Sequence, residues 1–298
     1  MKIPSRANEV FALFYGAPKS GKTTYCTQLC DGNFAVTVLD LENNLYPATR
    51  WKNVGNINVI PLYWQGETNR APAVTFLTAL RDAGRKPFVW DITEKRIAPT
   101  TLDPEHEYVR VDLSKAAPHD VMIFDSWTVL CQQIVAGKFK TYLDMNAQVA
   151  ETSQPMWGTY TNDADGGLTL LHSFRVPIKL IIGHEYSELT NNNPISVTRA
   201  HGQKLAAAFN LVARFKDGVL DMSKGGGLLP QDKKPLDKYT ATMLLSDIGI
   251  KSPEVFRPSE AFVFANGEEM KSIVAAAQSG ASSSVSLTAN KNVNVNLR

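Results

Sequence analysis

The passage from Val10 to Thr24, VFALFYGAPKSGKTT, constrains this chain more than any other. Val10 to Tyr15 is an unbroken apolar run of the kind that forms a strand buried on both faces, as in parallel sheets. It leads directly into Gly16-Ala17-Pro18-Lys19-Ser20-Gly21-Lys22-Thr23, which fits G-x-x-x-x-G-K-[ST]. TTYCTQLC, a helical segment, follows. Strand, glycine loop and helix in that order make a cradle for a polyphosphate. Gly16 and Gly21 let the loop wrap so that backbone N–H groups point at phosphate oxygens, and the start of the helix adds a positive field. Lys22 is expected to bridge the β- and γ-phosphates, with the Thr23 hydroxyl on Mg2+ and Thr24 bonding a phosphate nearer the sugar.

The same alternation continues downstream. Short apolar runs at Ala35–Leu39, Ile57–Leu62, Val121–Phe124 and Ile178–Ile182 read as buried strands. Helical spacing occupies Ala73–Ala83, 129–150 and Trp157–Phe174, and Gly202 to Phe215 reads as helix followed by strand. Strands alternating with helices predict an α/β fold, a largely parallel sheet with helices on its faces. Such sheets gather their chemistry at the carboxyl ends of the strands.

Three strand ends carry suitable groups. Asp125 closes VMIF and is expected to help hold Mg2+, mostly through water. Glu42 follows the second strand and is the candidate base, orienting the attacking water. Asp40, two residues earlier, is placed on the same side and is expected to share the site. His184 ends the fourth clear strand, where it would sense the γ-phosphate.

Together these pieces resemble the RecA-type P-loop ATPases, especially the smaller phage-encoded kind associated with recombination and single-strand annealing. The likeness rests on GAPKSGKTT, similar to the family's Walker A, and on Asp40-Leu-Glu-Asn-Asn-Leu-Tyr-Pro47, similar to its D-x-E-x-x-L-x-P. MIFDSWTVL is similar to its Walker B, carrying Asp125 and Ser126. In LIIGHE, His184-Glu185 stand where RecA proper has Asn-Gln. His201-GQKLAAAFNLVA-Arg214 is similar to the stretch after the family's second DNA-binding loop. The likeness covers roughly residues 10–50 and 119–217.

The resemblance implies a RecA-like P-loop NTPase core, ATP and Mg2+ as cofactors, Glu42 as the residue that activates water, and a homo-oligomer. It also implies contact with single-stranded DNA after the Asp125 and Ile182 strands. There Lys138, Phe139, Lys140 and Tyr142, then Asn191 to Asn193 and Arg199, are the candidates, with Arg199 and Lys140 foremost. A neighbouring subunit would supply a cation to the γ-phosphate, as an arginine finger does, from Arg214, Lys216 or the lysines at 233, 234 and 238. Two rival functions share this core: a DNA motor, and a nucleotide-switched assembly protein that hydrolyses slowly.

Composition sets the outer bounds. Across 298 residues, 31 Lys+Arg against 29 Asp+Glu leave a formal net charge of +2, which argues against a uniformly basic nucleic-acid binder but permits a local basic strip. Cys26, Cys30 and Cys131 include no C-x-x-C pair. Cys26 and Cys30 share a helix face with no other His or Cys nearby, so they read as core thiols in a reducing compartment. The first residues lack a signal-peptide apolar region, and no apolar run approaches the ~18 residues of a membrane span. A cytoplasmic protein of a bacterial host, phage-encoded, is the expectation. Residues 1–277 read as one ATPase domain with an insertion around 51–118, and 278–298 as a flexible Ser/Asn-rich tail.

Overall fold

The computed structural model describes residues 9–64, 71–84, 86–135, 154–185, 194–196, 199–224 and 233–279. Its main sheet has eight strands. Six of these, in spatial order, are β9 (Leu211–Lys216), β1 (Val10–Gly16), β8 (Ile178–His184), β7 (Asp120–Asp125), β2 (Ala35–Asp40) and β3 (Ile57–Pro61), and they run parallel. β10 (Val219–Lys224) and β11 (Lys233–Pro235) extend the β9 edge in antiparallel sense. The expected largely parallel α/β sheet is therefore present. Lys233–Pro235, at the end of a glycine- and lysine-rich stretch with no apolar run, is an edge strand. Pairing with β10 satisfies its backbone where composition alone suggested none.

Continuous apolar runs are used as expected, because each face of the sheet is covered. Val10, Ala12 and Phe14 point to one layer, with Tyr25, Cys26 and Leu29 beneath the loop and Leu244 and Leu245 on α6 (Ala241–Asp247). Phe11, Leu13 and Tyr15 point to the other. There they meet α2 (Pro72–Ala83), α3 (helical residues 127–135) and α4 (Gln154–Ser173). The period-two alternation of β1 thus divides its side chains between two cores.

A second, antiparallel sheet is built from β12 (Phe262–Asn266), β6 (Glu107–Val111), β4 (Phe88–Asp91) and β5 (Arg96–Ile97). Trp90, Val109, Val111 and Phe262 turn toward α2, where Phe76 meets Trp90 edge-on at 5.0 Å. Tyr108 faces Met270 on α7 (Gly267–Ser279). This sheet joins residues 88–111 to the C-terminal region, while Ile57–Pro61 pairs in the main sheet.

All three cysteines are buried and none is in a disulfide, and burial pushes the Cys30 thiol up to about 12. Lys179, on a central strand, is buried too. Its Nζ donates to the carbonyls of His172 and Phe174, so it closes the C-terminal end of α4 with a cation. No described helix is long and apolar enough to cross a membrane.

Candidate functional site

Strand register brings the candidate groups to one edge of the sheet. Gly16 pairs with His184 on one side and Phe215 on the other, and Asp40 pairs with Asp125. The turn between β1 and α1 (Lys22–Thr27) therefore faces the ends of β2, β7 and β8.

The glycines that open and close the loop answer different needs. A Cβ at Gly16 would lie 2.4 Å from the Phe215 carbonyl oxygen, so no side chain fits between β1 and β9. Gly21, at φ +91°, sits in a conformation that L side chains rarely adopt. Ala17, Pro18 and Lys19 form the exposed crown of the loop, with Ser20 behind them. Lys22 is buried, and its Nζ donates to the carbonyls of Gly16 (3.1 Å) and Ala17 (2.8 Å) and to Ser20 Oγ (3.3 Å). Burial holds the Lys22 amine below its usual range, against the pull of nearby Asp125 and Glu42. Thr24 occupies the first turn of α1 beside Thr23.

Thr23 Oγ1 donates to Asp125 Oδ2 at 2.6 Å. The other carboxylate oxygen of Asp125 is buried without a hydrogen-bond partner. Burial, reinforced by the charge of Glu42, pushes the Asp125 carboxyl up to about 7. A divalent cation fits this donor set: one hydroxyl, one under-satisfied carboxylate, and oxygen ligands only. Among the described residues, no three His, Cys, Asp or Glu side chains converge as a metal cage. A cation here would therefore complete its shell with phosphate and water, as Mg2+ commonly does.

Glu42 stands just beyond β2. Its Oε1 accepts from Ser126 Oγ and lies 2.7 Å from His184 Nε2. Burial would raise its carboxyl, but these hydrogen bonds and the nearby cations outweigh that and hold it below the usual range. Asp40 lies beside Asp125 on the neighbouring strand, close enough that its charge bears on that carboxyl. Its Oδ1 accepts the backbone N–H groups of Glu42 and Asn43, so it shapes the turn that presents Glu42. Burial pushes Asp40 up to about 6.

The sequence reading named Ser126 beside Asp125 but not its bond to Glu42, and it missed Thr128. Thr128 Oγ1 accepts the His184 backbone N–H at 2.9 Å, tying the end of β8 to α3. Ser126, besides bonding Glu42, begins that helix: its carbonyl accepts from Leu130 N. Position in DSWT marked both residues as near Asp125, but nothing linear pointed them at β2 or β8.

Arg214 Nε donates to Glu185 Oε2 at 2.6 Å, so the first candidate for a cation acting on a neighbouring subunit is paired within its own chain. Lys216 is exposed at the end of β9. Arg199 is the first residue of α5 (Arg199–Leu205). Lys138, Phe139, Lys140, Tyr142, Asn191 to Asn193 and residues 280–298 lie outside the described residues.

No protein-family model matches this chain, and no curated protein matches it. Among solved structures it is similar to a crystal structure of the RadB recombinase, at 12% identity over 75% of this chain and 84% of that one, with a TM-score of 0.36.

Proposed function

We propose that this chain is a Mg2+-dependent ATPase of the RecA-like P-loop class that acts on single-stranded DNA in recombination or annealing, as a homo-oligomer and in a phage setting. The observation that carries the reading is the convergence of Lys22, Thr23, Asp125 and Glu42 at one sheet edge. Loop amides and Lys22 would bind the phosphates; Lys22 now bonds loop carbonyls and would exchange them for phosphate oxygens. Thr23 and Asp125 would hold Mg2+, which when bound neutralises charge on the phosphates. Glu42 would orient and deprotonate the attacking water, kept ionised by its hydrogen bonds. His184 would report the γ-phosphate to Glu42. Arg199 and Lys140 would meet DNA phosphates, and Lys216, exposed where Arg214 is paired with Glu185, would act on a neighbour.

The nucleotide-switched assembly protein is a second reading, favoured by the grip of His184 and Ser126 on Glu42, which would have to loosen before Glu42 could act on water. ATP turnover with and without single-stranded DNA, combined with a size measurement, separates the two. The ATPase reading expects stimulation by single strands and an affinity that falls steeply with salt. Turnover indifferent to DNA, together with ATP-dependent assembly, supports the switch.

A further inference from the structure

A second polar constellation lies behind the nucleotide site, and the proposed chemistry leaves it unused. Ser196 Oγ is 2.6 Å from His201 Nδ1, and His201 Nε2 is 2.8 Å from Asp165 Oδ1. Ser and His are both buried, while the Asp165 side chain is 59% exposed. Trp127 Nε1 donates to Ser196 Oγ at 3.2 Å, and Cys131 Sγ lies 3.5 Å from the same oxygen. Serine, histidine and aspartate in a row suggest a hydrolase triad. Here, however, the serine oxygen already accepts an indole N–H and is enclosed by Trp127, Cys131 and His201, so it is no exposed nucleophile.

The directions of the bonds form one consistent chain. With the ring proton on Nε2, His201 donates to Asp165 and accepts from Ser196, whose oxygen accepts from Trp127. Ser196 is thus the junction of three elements: α3 through Trp127, α5 through His201, and α4 through His201 and Asp165. The fit of α5 is tight, since a Cβ at Gly202 would lie 2.3 Å from the Pro194 carbonyl oxygen.

Two short routes run from this junction to Glu42. Trp127 is the residue after Ser126, which donates to Glu42. Ile195, the residue before Ser196, donates its backbone N–H to the His184 carbonyl at 2.7 Å, and His184 Nε2 lies against Glu42. Each side chain that bonds Glu42 is therefore within one residue or one backbone bond of the Ser196 junction. Pro194 also forms an isolated bridge with Glu185, which fixes this segment to the end of β8.

We infer that Ser196 and His201 are positioning residues for Glu42: the Trp127–Ser196–His201–Asp165 chain sets the placement of Ser126 and His184, and couples the nucleotide site to the α4–α5 surface. This rests on the reading of Glu42 as the base. Neither residue touches the nucleotide, so the effect is expected in turnover and not in binding.

The test uses the full chain. Ser196→Ala should lower kcat for ATP by about 10- to 100-fold, the cost of a small misplacement of a catalytic group, with nucleotide affinity essentially unchanged. Because a buried variant can fail to fold, Asp165 supplies the surface counterpart. Asp165→Ala should slow turnover, whereas Asp165→Asn, which keeps an acceptor for His201 Nε2, should restore it. Ser196→Ala combined with Ser126→Ala should cost less than the sum of the two, as for groups acting through one network. A direct readout is the NMR signal of the His201 ring, which should move when a non-hydrolysable ATP analogue binds and stop responding in Ser196→Ala. Normal kcat in folded Ser196→Ala, additive double variants, or a His201 signal blind to bound nucleotide would overturn the inference. Failure of the underlying reading has its own signature: normal turnover in Glu42→Gln removes the base assignment whatever Ser196 does.

Discussion

Glu42 and His184 meet across an intervening strand: the carboxylate just beyond β2 lies 2.7 Å from the imidazole that ends β8, with β7 between them. Ser126, at the end of β7, bonds the same oxygen. Three consecutive strands of the sheet thus join in one interaction, and it keeps the carboxyl ionised although it is largely buried.

Removing His184 should shift the acid limb of the ATPase pH profile. In the native chain, hydrogen bonds and nearby cations hold Glu42 below its ordinary 4.5, so it stays a base into the acid range. His184→Ala deletes the strongest of these, leaving burial to raise the carboxyl. Its share of activity should then fall away at higher pH, visible as an upward shift of the limb in kcat against pH. An unmoved limb would mean that a different group titrates in the reaction.

Glu42→Gln preserves the shape of the side chain and much of its bonding while removing the base. Turnover should fall by about 10²- to 10⁴-fold, the usual contribution of a general base. Calorimetry should find ATP bound about as tightly as before.

Loading the site with Mg2+ and nucleotide should displace a proton from Asp125. The free chain holds that proton up to about 7, whereas an unfolded aspartate loses it near 3.8. The stabilisation from this group is therefore complete below its unfolded value and is lost as pH rises through about 7. Calorimetry in buffers of differing ionisation enthalpy should detect release of about one proton near pH 6, fading above about pH 8. Asp125→Asn, which carries no buried charge, should melt higher than the native chain in the alkaline range without Mg2+, and should lose Mg2+-dependent turnover.

Gly16→Ala places a methyl group 2.4 Å from the Phe215 carbonyl oxygen. The backbones of β1 and β9 must separate to admit it, so a loss of stability of about 1–3 kcal/mol, the usual cost of overpacking, is expected. Chemical denaturation would measure it. A variant as stable as the native chain would show that this contact has room to relax.

Much of the fold was legible because its signals are local. A strand buried on both faces must be apolar throughout, so VFALFY, AVTVL, VMIF and IKLII declared themselves. The loop was legible for the same reason: its glycines answer constraints within a few residues. Lys233–Pro235 was not legible as a strand because an edge strand of charged residues and proline has no apolar signature. The turn that Asp40 shapes was not legible, because which oxygen accepts the Glu42 and Asn43 amides depends on how the chain folds past the strand end.

By itself, the sequence determined the loop, the acids at strand ends, and the α/β alternation, all consequences of near-neighbour sterics and burial. Only the tertiary structure decided which ends became neighbours. The order β1, β8, β7, β2 brings residues 42, 126 and 184 within hydrogen-bond reach, and seats Ser196 between Trp127 and His201. The reason is physical: strand order follows from how two helical layers cover both faces of one sheet, a property of the packed whole that no short stretch of chain encodes.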